Sequence, residues 1–79
     1  MTDEIRIKAN QLAKSIEDTE AMENIVAAMT EYPDSIVSIE CKDAGVVRMK
    51  VDEIFSALNY IRDVLHDRKE QLEDEYRML

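Results

Sequence analysis

The sequence predicts an α+β fold with the element order α–β–β–α. Three observations predict it. The only proline, Pro33, and the only glycine, Gly45, both fall in the middle third. Two short segments on either side of Gly45 alternate apolar and polar residues with period two, the pattern of half-buried strands. The two long flanks hold no breaker and are rich in Glu, Ala, Lys, Leu, Gln and Met, which favour helix.

The N-terminal flank carries two apolar faces. Ile5, Ala9, Leu12 and Ile16 share one, and Met22, Ile25, Val26 and Met29 share another, rotated by about 120° if the helix is continuous. Two arrangements satisfy this. The helix breaks near Asp18-Thr19, where either side chain can cap a new start. Alternatively, one unbroken helix touches two different surfaces. Pro33 disfavours helix at the residue before it and is expected to end the element near Tyr32.

The centre reads as a hairpin of Ser35–Cys41 and Val46–Val51. Val37, Ile39 and Cys41 alternate with Ser38 and Glu40, and Val47, Met49 and Val51 alternate with Arg48 and Lys50. A loop of Asp43-Ala44-Gly45, with Gly45 at positive φ, sets Cys41 opposite Val47, Ile39 opposite Met49 and Val37 opposite Val51. Glu40 then meets Arg48 on the other face as a cross-strand charge pair. A slip of one residue would put Arg48 among the apolar side chains. Cys41, on the apolar face, is expected to be a small core residue.

The C-terminal flank, Asp52–Leu79, reads as one helix with Asp52 as its cap and Glu53 in the first turn. Ile54, Leu58, Ile61, Leu65, Leu72, Tyr76 and Leu79 lie within about 40° of one line. Phe55, Ala57 and Val64 widen that stripe in the first half only. Beyond Leu65 it narrows to a heptad-like seam interrupted by Arg68, which suits a two-helix contact. The 28 residues would span about 42 Å, against about 30 Å for a compact globule of this size. The overhanging Leu65-Leu72-Tyr76-Leu79 seam therefore asks for cover from a second copy. A lone two-stranded ribbon asks for the same, because it is barely stable and leaves both edges open. A homodimer with a shared four-stranded sheet is the expected assembly.

Seventy-nine residues make a single domain, 1–79. Intrachain disulfides are excluded because Cys41 is the only cysteine, and a lone thiol suits a reducing, cytoplasmic setting. No basic start precedes an apolar run, so no secretory leader is expected, and no apolar run approaches a membrane span. The net charge of −8 disfavours direct binding of nucleic acid or an anionic membrane.

That charge is unevenly placed. Ser15–Cys41 contains no lysine or arginine but seven carboxylates: Glu17, Asp18, Glu20, Glu23, Glu31, Asp34 and Glu40. A surface that only solubilises normally intersperses both signs. Glu17, Asp18, Glu20, Glu23, Glu31 and Asp34 therefore form a candidate acidic ridge for docking on a basic protein surface, including one that otherwise holds nucleic acid, since carboxylates at helical spacing can imitate a phosphate ladder. Phage-encoded antagonists of host enzymes share this size and charge, an analogy of profile only. The bland alternative is a solvated helix face.

No catalytic chemistry is legible. Glu20/Glu23 and Glu70/Glu73 form two E-x-x-E pairs of the kind that hold magnesium in some helical nucleotide pyrophosphatases, but this spacing is common in acidic helices and no lysine-rich counterpart accompanies it. His66, the only histidine, reads as part of an intrahelical charge lattice with Arg62, Asp63 and Glu70. A single glycine rules out a phosphate-cradling loop, and the serines lack a nucleophile elbow. Tyr32 and Tyr60 are expected at the rim of the core. The reading is a non-enzymatic, cofactor-free and metal-free protein-binding inhibitor or adaptor. The alternatives are a homo-oligomerisation module working through its C-terminal seam and, more remotely, a metal-dependent nucleotide hydrolase.

Overall fold

Two long helices lie antiparallel, and a β-hairpin joins them. The computed structural model describes residues 2–79: α1 (Asp3–Met29), β1 (Ile36–Cys41), β2 (Gly45–Lys50), a 3-10 turn (Val51–Ile54) and α2 (Phe55–Arg77). This is the α–β–β–α order expected from the breakers and the periodicities. No described helix is long and apolar enough to cross a membrane.

α1 runs through Asp18-Thr19 without a break. It starts at Thr2, whose hydroxyl accepts the Ile5 N–H at 3.3 Å, and Asp3 and Glu4 in the first turn suit the positive end of the dipole. Thr19 does not cap a second helix. It is buried, and its hydroxyl donates back to the Ser15 carbonyl at 2.7 Å, so the polar group is satisfied within its own turn. The buried residues of α1 are Leu12, Thr19 and Val26, a strict seven-residue spacing. α2 answers with Leu58 and Leu65 buried and Leu72 half-buried, again at sevens. Two heptad ladders running in opposite directions make the seam of an antiparallel helix pair.

α1 ends at Met29, earlier than Pro33 alone implies. Glu31 and Tyr32 donate to the Ala28 and Met29 carbonyls at 3.1 and 3.0 Å, and these tight turns unwind the helix before the proline is reached. The connector is then tied to the second half of the chain. Val51 N–H donates to the Ser35 carbonyl at 3.0 Å and Asp52 N–H to the Pro33 carbonyl at 3.2 Å.

The hairpin is offset by two residues from the expected register. Cys41 faces Gly45, Ile39 faces Val47 and Val37 faces Met49, so Ser38 rather than Glu40 stands opposite Arg48. The loop is Lys42-Asp43-Ala44, closed by Ala44 N–H on the Cys41 carbonyl at 3.2 Å, and Gly45 follows with φ 133°. A shift of two keeps every side chain on its predicted face, which is why alternation alone does not distinguish the two registers. Val51 is not in the strand. It turns inward in the 3-10 turn and is 1% exposed, the most deeply buried apolar side chain described. Accordingly α2 is entered through Val51–Ile54 rather than capped by Asp52, and the Glu53 carboxylate accepts the Lys50 N–H at 3.0 Å.

The core is Val26, Val51, Ile54, Leu58 and Leu65, with Met29, Val37 and Met49 packed on it. The hairpin reaches this core only through Val37 and Met49. Farther along the same face Ile39 and Val47 are half exposed, and Cys41 at the loop end is exposed rather than buried. Tyr32 and Tyr60 are likewise exposed rather than at the core rim.

The molecule measures 50 × 27 × 14 Å, with a radius of gyration of 16.1 Å. A compact chain of this length would have about 12 Å. The thinnest dimension is little more than the roughly 10–12 Å diameter of one helix. The accessible surface is 6330 Å², about 1,400 Å² more than the roughly 4,900 Å² of a typical folded monomer of this mass. α1, with 27 residues, is longer than α2, with 23, so its N-terminal half runs beside the overhang expected of the C-terminal helix: Ile16 shares a depression with Glu73, Tyr76 and Arg77.

Candidate functional site

The helix pair has two unlike sides. On one, Glu20 approaches Lys69 at 3.9 Å and Glu23 accepts from or pairs with His66 Nδ1 at 3.0 Å. As the α1 number rises by three, the α2 number falls by three, the mark of antiparallel neighbours. His66 Nε2 also meets Glu70 at 3.2 Å, so the imidazole stands between carboxylates from both helices. Glu23, Asn24 and Ala27 of α1 and Asn59, Arg62, Asp63 and His66 of α2 line an open depression on this polar side. Both helix faces therefore turn polar groups to the same side of the seam.

The acidic ridge is not one line of equivalent charges. Glu23 is drawn toward the seam by His66, and its side chain is only 18% exposed. Glu20 leans on Lys69. Asp18 lies about 100° round the continuous helix from Glu17, and it is 4.0 Å from Lys14. Glu17 and Glu31 lie on the outward face of α1 and its exit, and Asp34 lies in the connector; all three are exposed and have no ion-pair partner among the described residues.

The seam residues Leu65, Leu72, Tyr76 and Leu79 divide as well. Leu65 is buried in the chain's own core, and Leu72 is half covered. Tyr76 and Leu79 remain 46% and 45% exposed. The two E-x-x-E pairs lie on different helices, with Glu20 and Glu23 each held by a cationic or imidazole partner on α2. Among the described residues no three His, Cys, Asp or Glu side chains converge as a metal centre.

The other side of the helix pair is apolar. Given the polar depression, helix geometry puts Met22 and Ile25 of α1, and Ile61 and Val64 of α2, across the seam from it. They are 40%, 55%, 40% and 41% exposed. Grouping Val26 with Met22 and Ile25 on α1, and Leu58 and Leu65 with Ile61 and Val64 on α2, as the periodicity invites, merges this side with the seam. The signal that separates them is the seven-residue ladder Leu12-Thr19-Val26, whose middle rung is polar and escapes a search for apolar residues. The Glu23–His66 contact is also invisible to spacing, because it joins residues on different elements.

No family model, characterised protein or solved structure matches this chain.

Proposed function

We propose that this chain is a small non-enzymatic protein-binding module, an inhibitor or adaptor. It presents the acidic outer face of α1 and its exit to a basic surface of a larger protein, of the kind that otherwise holds nucleic acid. The observation that supports this reading most is the segregation of charge. Ser15–Cys41 has seven carboxylates and no lysine or arginine, and Glu17, Glu31 and Asp34 stand exposed without ion-pair partners among the described residues. Placing such groups opposite lysines and arginines gives steering and register as much as affinity. A cytoplasmic location fits this role and suits the exposed thiol of Cys41.

The test is binding of the purified chain to basic nucleic-acid-binding domains, with short duplex DNA as competitor. Retention should weaken as salt rises, and DNA should compete. Joint reversal of Glu17→Lys, Glu31→Lys and Asp34→Lys should weaken binding at least about tenfold, a loss of roughly 1.4 kcal/mol. Partners that bind the reversed variant as tightly as the original chain sink the reading.

A second reading, a homo-oligomerisation module, is favoured by the surface excess of the isolated chain. It makes the acidic face dispensable and expects Leu72→Asp to abolish assembly.

A further inference from the structure

We infer that the apolar side of the helix pair, centred on Met22, Ile25, Ile61 and Val64, is where a second copy of this chain packs, so that two helix pairs close into a four-helix bundle. This inference stands apart from the acidic docking role and differs from assembly through the sheet edge or the C-terminal seam.

A domain normally needs two packed layers, and this chain supplies one: it is 14 Å thin and 50 Å long. The area agrees. An obligate dimer buries about 1,000–2,500 Å² from each subunit, and the excess surface of this chain over a compact monomer is about 1,400 Å². The face also has the right composition. Its four central side chains are large, apolar and two-fifths to just over half exposed, with no charge among them. The polar side already has its Glu20–Lys69 and Glu23–His66 partners within the chain and does not ask for cover.

Charge decides for a copy of this chain as the occupant. Two chains of net −8 repel unless their carboxylates are kept apart. Stacking on the apolar sides sends both polar sides outward, on opposite faces of the bundle. Asp18 of α1 and Arg68 of α2 stand at the same end of the apolar stripe, because Glu20 and Lys69 are neighbours there. A twofold axis through the stripe can set the acid of one copy near the base of the other, the self-complementary arrangement that an isologous interface requires. A basic partner would seek the opposite side.

Sedimentation equilibrium of the purified chain is expected to give twice the chain mass. Ile25→Glu and Ile61→Glu should each weaken the dimer at least tenfold. These variants can also unfold the chain, so cross-linking provides an independent readout. In a Cys41→Ser background, Val64→Cys should be joined into dimers by a short bismaleimide, whereas Tyr60→Cys, 70% exposed and off the stripe, should not. A monomeric mass at all concentrations overturns the inference. So does a dimer that both glutamate variants leave intact, or cross-linking at position 60 but not 64, since these place the contact on another face. Charge reversal at Glu17, Glu31 and Asp34 should leave the mass unchanged, so failure of the docking role and failure of the dimer read out separately.

Discussion

The two sides of one helix pair are built from the same two helices, yet they handle exposed side chains in opposite ways. The polar side pairs across the seam, Glu20 with Lys69 and Glu23 with His66, whose other ring nitrogen meets Glu70 within α2. The apolar side leaves Met22, Ile25, Ile61 and Val64 against solvent. Ion pairs between exposed groups contribute about 0–1 kcal/mol each, while full burial of one large aliphatic side chain contributes about 1.5–3 kcal/mol. The side with the visible contacts is thus the less consequential one for stability, and the side without them holds the larger unspent driving force. Between the two lies the seam, where that force has already been used.

The largest effect is expected in the seam. Leu58 is 3% exposed and packs with Val26, Val51 and Ile54 beneath the hairpin. Leu58→Ala removes its contacts and leaves a cavity that a core this small cannot close from elsewhere. A loss of about 2–5 kcal/mol in urea unfolding is expected at fixed protein concentration. A loss well under 1 kcal/mol would mean that the seam is not the principal core, and the contrast between the two sides would lose its reference.

The hairpin gives the next effect. Gly45 has φ 133°, and a Cβ built there meets nothing within 4 Å. Gly45→Ala therefore costs backbone strain alone, about 1–3 kcal/mol. Were the loop shifted to the Asp43-Ala44-Gly45 arrangement, a glycine would still hold a positive φ, so stability alone does not discriminate. Nuclear Overhauser contacts between Val37 and Met49, rather than Val37 and Val51, do.

How much of this was legible follows from what each pattern encodes. The element order was readable because Pro33 and Gly45 punctuate the centre and the periodicity changes from helix to strand and back. The strand faces were readable for the same reason, but not the register, since a two-residue offset preserves both faces. The continuity of α1 was not readable. A helix with apolar faces rotated between its halves looks broken at Asp18-Thr19, and only tertiary contact shows Thr19 as a rung between Leu12 and Val26. The burial of Val51 and the exposure of Cys41 share one cause: the core lies at the open end of the hairpin, so nearness to that end decides burial. On the acidic face, the sequence placed the carboxylates but not their partners, because Lys69 and His66 arrive from α2.

Thr19 tests the seam more finely. It is 3% exposed, and its hydroxyl bonds to a carbonyl one turn back, so the group is satisfied but draws no partner across the helices. Thr19→Val keeps the shape and the β-branch and removes the buried hydroxyl. Replacing a satisfied buried polar group by an apolar one of the same shape can be nearly neutral or stabilising, so a change between zero and a gain of about 1 kcal/mol is expected from thermal unfolding. A loss above about 1 kcal/mol would mean that the hydroxyl has a second role, such as holding the local curvature of α1 that keeps the ladder in register.

The smallest effect should come from the polar side. His66 has a side chain 55% exposed, between Glu23 and Glu70. His66→Gln keeps hydrogen-bonding capacity and removes any positive charge. Because solvent screens the group and salt screens the pair, a loss of no more than about 1 kcal/mol is expected. It should shrink further in half-molar salt, where the screening length is shorter than about 8 Å. Glu23 is the reason to make the measurement, since its side chain is 18% exposed while that of Glu70 is 63% exposed. A double-mutant cycle of His66→Gln with Glu23→Gln should therefore give a larger coupling than the same cycle with Glu70→Gln. Equal couplings would mean that the cross-helix contact is no better sheltered than the intrahelical one. The polar side would then add solubility without fixing the alignment of the two helices, and the seam alone would set it.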